Sequence, residues 1–125
     1  MKTMLVVFGL LLVRCALAAT LFTAPIDAPS GYQSGCEAVN VSGSPVTISV
    51  YIIDGDNNAV VASYLNCTSS STSPGCAITH ITGIGDSGFF YCKFVTDSAS
   101  KTTIRANGKV SNPGTGDTGD ATDAQ

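Results

Sequence analysis

VTISVYII, at residues 46–53, places Val46, Ile48, Val50 and Ile52 on one side of an extended chain and Thr47, Ser49 and Tyr51 on the other. Alternation with a period of two is the mark of a strand with one face buried. Such a strand needs a second layer of structure over its apolar face. DGDNN follows, rich in residues that tolerate positive φ, and AVVASYL then resumes the strand pattern, so the two form a hairpin. EAVNV, entered after SGC and left through SGSP, reads as an earlier strand. CAITHIT, FFYCKFVT and KTTIRA read as later ones. Helical spacing is confined to the N-terminal segment, and there is no internal repeat. The expected fold is all-β: a small disulfide-stapled β-sandwich, Ig-like or barrel-like, of about six or seven strands.

The first residues, MKTMLVVFGLLLVRCALAA, combine an early cation, an apolar run and small residues. That is the build of a secretory signal peptide over residues 1–18, cut after Ala18, with Ala16 and Ala18 as the small pair. Cys15 invites a lipoprotein reading, but Arg14 stands where that signal wants a small residue, so Cys15 is expected to leave with the signal. Residues 19–31 are punctuated by proline and read as a leader or an edge strand. The β-sandwich domain is expected over residues 32–106. Residues 107–125 hold hardly any bulky apolar side chains and are expected to form a disordered acidic tail. The mature chain is expected to be secreted, extracellular or periplasmic, with no membrane insertion after cleavage.

The net charge is −3 and falls to −5 when Lys2 and Arg14 leave with the signal. A surface so poor in Lys and Arg argues against nucleic acid, whose phosphates require cations. Four cysteines follow the signal, Cys36, Cys67, Cys76 and Cys92, and an even number in a small exported domain reads as two disulfides. Suppose the strands form a meander. Cys36 and Cys67 then lie at opposite ends of a strand length of about 20 Å, while a disulfide needs Cα atoms within about 7 Å. The expected pairs are therefore Cys36–Cys92 and Cys67–Cys76. One tension remains in this scheme. Val39 and Val41 have the opposite parity to Cys36, which asks for a bulge or a strand end there.

GIGDSG, residues 83–88, matches two patterns at once. Its glycines fit a dinucleotide fingerprint, but that motif opens a helix aimed at a pyrophosphate, and here FFYCKFVT follows. GDSG also surrounds the nucleophile of chymotrypsin-like proteases. A catalytic Ser87 would need a histidine base and a carboxylate brought from distant parts of a larger fold. The one histidine, His80, is expected on the adjoining strand of the same hairpin, with Asp86 or Asp97 as the conceivable orienter. Asp, Ser and Gly are also loop residues, and the turn reading is preferred.

Asp54, Asp56 and Asn58 have the spacing that opens a calcium loop, but Ala59 and Leu65 stand where that loop needs Gly and Glu. Asn40 and Asn66 lie in N-x-Ser/Thr sequons. Phe90, Cys92 and Phe94 share one strand face and read as core. Phe89, Tyr91 and Val95 share the other, where cover by another sheet or by the leader is expected.

The succession CEAVNVSGSPVTISVYIIDGDNNAVV, a second cysteine, SPGC, FFYCKF and KTTIRA resembles small exported bacterial β proteins with four cysteines. The likeness covers most of residues 36–106. It implies a disulfide-stapled β fold outside the cytoplasm and no activity, so no functional residues carry over. No catalytic set, cofactor or metal site is expected. The reading is a secreted non-enzymatic β-sandwich module, a binding protein or an envelope or matrix component, with a protein or glycan as its kind of partner. Two alternatives stand beside it: a small hydrolase using Ser87 and His80, and an accessory subunit that pairs through an edge strand.

Overall fold

A computed structural model describes residues 18–70, 75–83, 86, 88–97, 103–116 and 118–125. The chain is all-β there, with nine strands in two antiparallel sheets. These are β1 (Ala19–Phe22), β2 (Ile26–Asp27), β3 (Gln33–Asn40), β4 (Val46–Asp54), β5 (Val60–Ser69), β6 (Gly75–Ile81), β7 (Phe89–Thr96), β8 (Ile104–Ser111) and β9 (Thr118–Asp123). One sheet has the order β1-β7-β4-β5, with β2 also on β7; the other has the order β6-β3-β8-β9. The fold is a disulfide-stapled β-sandwich.

The meander does not survive. β3 and β4 are consecutive but lie in different sheets, as do β6 and β7, so neither pair is a hairpin. The disulfides are nonetheless Cys36–Cys92 and Cys67–Cys76. Both run between the sheets: the first joins the interior strands β3 and β7, the second the edge strands β5 and β6.

No bulge is needed to turn Cys36 inward. The buried face of β3 is Ser34, Cys36, Ala38 and Asn40, while Val39 and Val41 are exposed. The valines misled because Asn40 is the residue that must be inside. Its Nδ2 donates to the carbonyls of Ser44 (2.6 Å) and Ser69 (3.0 Å), and its Oδ1 accepts from Ser42 N–H (2.9 Å). A buried amide with these partners is fully engaged, and here it ties the β3–β4 turn to the opposite sheet.

The inner face of the second sheet is small at its middle. Ile48, Val50, Ile52, Phe90 and Phe94 project from the first sheet; Cys36, Ala38, Ala106 and Gly108 lie at the middle of the second, with the larger Ile104 and Val110 to either side on β8. Large against small is how two pleated faces fill a shared core without voids.

Residues 107–116 and 118–125 are not a disordered tail in this structure. Asn107–Ser111 complete β8, and β9 pairs with it from Asn107↔Asp123 to Ser111↔Thr118. Ala124 packs against the core and donates to Ala106 O (2.9 Å), and Gln125 exchanges two backbone hydrogen bonds with Phe22. Small and polar side chains suffice because the main chain, rather than apolar area, supplies the contacts.

Candidate functional site

His80, at the end of β6, and Asp86, in the loop to β7, do come together: His80 Nε2 lies 2.9 Å from Asp86 Oδ2. Gly83 N–H donates to the same oxygen at 2.7 Å. These two donors, Gly83 first, hold the Asp86 carboxyl below its ordinary value, since they favour the charged form. The arrangement is a clasp on the loop, which is further pinned where Ala28 N–H donates to Gly88 O (2.6 Å). Beneath it lies a cavity of about 10 Å³, bordered by Ser34, Asp54, Thr82 and Phe90. That is room for about one water and not for a substrate. Ser34 Oγ already donates to His80 O (3.1 Å). Asp97 sits at the far end of β4, accepting from Thr47 N–H (2.9 Å), and does not reach His80. Ser87 and Cys15 lie outside the described residues.

The acidic hairpin is built from its own side chains. Asp54, buried, accepts from Asp56 N–H (3.0 Å) and Asn57 N–H (3.3 Å), and Asn58 Oδ1 accepts from Tyr91 Oη (2.9 Å). Asn58 has φ +58°, the left-handed conformation that Asn accepts in turns. Among the described residues no group of three His, Cys, Asp or Glu could hold a metal ion. Of the two sequon asparagines, Asn66 is exposed at a β-bulge with φ +54°, whereas Asn40 is buried and bonded.

Phe89, Tyr91 and Val95 are half-buried, on the outer face of the first sheet, and β1 pairs beside β7 instead of covering them. Phe22, 45% exposed, lies 6.3 Å from Tyr91 between ring centroids, and Lys93 Nζ stands 5.5 Å over the Tyr51 ring.

A larger cleft opens at the side of the sandwich where β9 ends, with a volume of about 310 Å³. Its apolar lining includes Leu21, Ala106 and Ala124, all packed on the core; its polar lining includes Arg105, Asn107 and Asp123. Register explains the grouping. Glu37, Asn107 and Asp123 are direct cross-strand partners on β3, β8 and β9, and Arg105 is two residues before Asn107 on the same face. Glu37 is bonded to Lys109 Nζ at 3.0 Å, and Arg105 Nη1 donates only to its neighbour Ile104 O at 3.2 Å. Asn107 Oδ1 is buried with no hydrogen-bond donor.

No family model, curated protein or solved structure matches the chain.

The cleft residues were missed at the level of sequence for a definite reason. They converge only through the register of β3, β8 and β9, and β9 lies in a stretch whose composition carries no strand signal. The lone readable hint is the alternation Arg105, Asn107, Lys109 within IRANGKV.

Proposed function

We propose that this chain is an exported, non-catalytic β-sandwich module that works by binding, with the cleft beside β8 as its site. The disulfides favour an oxidising compartment, and among the described residues no helix is long and apolar enough to cross a membrane. One observation carries the reading. The cleft gathers a few polar groups through strand register, one of them a buried acceptor without a donor. Small-molecule sites are of the cleft's size. The alternative hydrolase finds its base and orienter, His80 and Asp86, in contact as such a set requires, but it has less support because the cavity beside them has room for about one water and not for a substrate.

The test is a fragment titration of the ¹⁵N-labelled protein. Shifts clustered at Leu21, Ala106, Asn107 and Ala124 support the reading. Shifts gathered at Phe22, Tyr51 and Tyr91 would move the site to the aromatic face, where a glycan or protein would stack. Hydrolytic turnover abolished by His80→Ala would overturn the reading altogether.

Pairing through an edge strand is a second reading, favoured by β6. That strand pairs with β3 over seven residues in unbroken register, and among the described residues no strand lies on its other side. It carries no Lys, Asp or Glu to blunt the edge. Line broadening confined to β6 on adding extended peptides would support it.

A further inference from the structure

Of the large apolar side chains exposed among the described residues, Val60, Tyr64 and Leu65 lie on β5 and Ile81 on β6; Phe22, Val39 and Val41 lie elsewhere. β5 and β6 are free edges of their two sheets, on the side of the sandwich that Cys67–Cys76 closes. Tyr64 opposes Val50 and shares its inward face, yet it is 46% exposed, since among the described residues no strand continues the second sheet beyond β6. Neither edge strand carries Asp, Glu, Lys or Arg, whereas Glu37, Lys93, Arg105 and Lys109 lie on strands further in. The chain as a whole is acidic, with a net charge of −3. Such a charge keeps copies apart, and the repulsion is least where two neutral sides meet.

Resting on the edge reading of β6, we infer that its partner is a second copy of this chain, paired β6 to β6 about a two-fold axis normal to the second sheet. Directly opposed residues of an antiparallel pair share a face, so inward Cys76, Ile78 and His80 must meet inward residues of the copy. Of the registers this allows, the one that sets Ile78 against its own copy uses all seven residues of β6. Gly75 then opposes Ile81 of the copy. A Cβ on Gly75 would meet nothing within 4 Å, and Ile81 is 60% exposed, so the isoleucine gains a bare stretch of backbone to lie on. Back along β5 and forward along β6 from the Cys67–Cys76 bond, the strands reach one cavity through Val61 and His80, which sets Tyr64 and Leu65 near Ile78. The axis therefore brings both toward their own copies. The patch is about 24 Å long, seven residues at about 3.4 Å each, and about 20 Å deep, two sheets about 10 Å apart with their outer side chains. That is about 500 Å² on each copy and about 1,000 Å² in all, the size of a weak, reversible dimer.

The experiment is sedimentation equilibrium of the disulfide-bonded protein from about 10 μM to about 1 mM, a range suited to an interface of this size, with ¹⁵N NMR alongside. A concentration-dependent dimer is expected, with shifts along β6 and at Tyr64 and Leu65 as it forms. Ala77 and Thr79 are exposed and oppose each other across the axis in this register. Within one copy Ala77 pairs with Glu37, and Thr79 pairs with Gly35, which Lys109 flanks on its other side, so Ala77→Lys and Thr79→Glu should not lower the melting temperature. Each alone brings like charges near each other across the axis and should weaken the dimer about threefold. The double variant forms two opposite-charge pairs and should regain the parent affinity. A monomer throughout the range, or a dimer indifferent to both single substitutions, would overturn pairing of two copies through β6. Failure of the double variant to recover would overturn the register centred on Ile78. Extended peptides then judge the edge separately: if they broaden β6 lines in a protein that stays monomeric, only the second copy is refuted, and if they do not, the edge reading falls with it.

Discussion

Asp86 and Gly108 show how single residues set conditions on this fold. Because Gly83 N–H and His80 donate to the Asp86 carboxylate, its folded-state value lies below the ordinary 3.8. A depressed carboxyl contributes stability that is present above its unfolded value and disappears as the pH falls through the folded one. Stability should therefore drop on acidification below about pH 4. In Asp86→Asn that acid-side drop should be shallower, and the variant should be the less stable protein at neutral pH; urea melts at pH 7, 4 and 3 would check both. An equal acid-side slope in both proteins would refute the clasp. Gly108 acts through space. A Cβ there would stand 2.8 Å from both Cys92 Sγ and Ile26 Cδ1, and the sulfur is tied into the disulfide and cannot yield. Gly108→Ala should cost about 1–3 kcal/mol of overpacking strain. Gly35 is the control, since its Cβ would meet the Lys109 stem and Thr79 at ordinary distances of 3.5–3.7 Å. Gly35→Ala should be neutral or stabilise by a few tenths of a kcal/mol, through the lower entropy of the unfolded chain.

At the scale of elements, the two disulfides differ in what they constrain. Cys36–Cys92 closes a loop with a sequence separation of 56, and Cys67–Cys76 one of 9. In the loop-entropy description these are worth about 4 and about 2.5–3 kcal/mol respectively. The first is also wholly buried between interior strands, so its removal leaves unfilled space in the core. Replacing Cys36 and Cys92 by Ala should thus lower the chemical midpoint distinctly more than replacing Cys67 and Cys76; equal losses would contradict the ranking. The pairing itself is legible in the sequence; the meander is not. What held was that Cys67 and Cys76 bracket a short loop and that Cys92 lies on a core strand. What failed was the assumption that neighbouring strands share a sheet. Alternation in VTISVYII reveals that a strand has an inside, not which sheet carries it, since β3 and β4 would show the same pattern in either arrangement. Parity misled for a related reason. Hydrophobicity pointed Val39 and Val41 inward, while the hydrogen bonds of Asn40 hold the opposite face inside. Polar networks of this kind are set by distant partners, here Ser69, and leave no local trace in the chain.

Across the whole molecule, the sandwich is fastened in three places. Cys36–Cys92 fixes the middle, Cys67–Cys76 closes the side where β5 and β6 are the edges, and the opposite side, with β1 and β9 at its edges, has no covalent link. That side is held by main-chain bonds instead: Phe22 N–H to Gln125 O (3.2 Å), Gln125 N–H to Phe22 O (3.0 Å) and Ala124 N–H to Ala106 O (2.9 Å). It is also where the cleft opens, so the same few residues close the core and shape the candidate site. Composition could not announce this role, because a segment that contributes through its backbone looks like a solvated tail when only side chains are counted. The contrast is testable. A disordered tail could be removed without consequence. If residues 124 and 125 fasten the two sheets, their deletion should cost about 1.5–4.5 kcal/mol from three hydrogen bonds of about 0.5–1.5 kcal/mol each, with the lost packing of Ala124 adding to it. Hydrogen exchange should quicken at Leu21, Phe22 and Ala106 while the β5–β6 side, still locked by Cys67–Cys76, keeps its protection. An unchanged urea midpoint with unchanged exchange along β1 would show that the side near the cleft is held by the core alone.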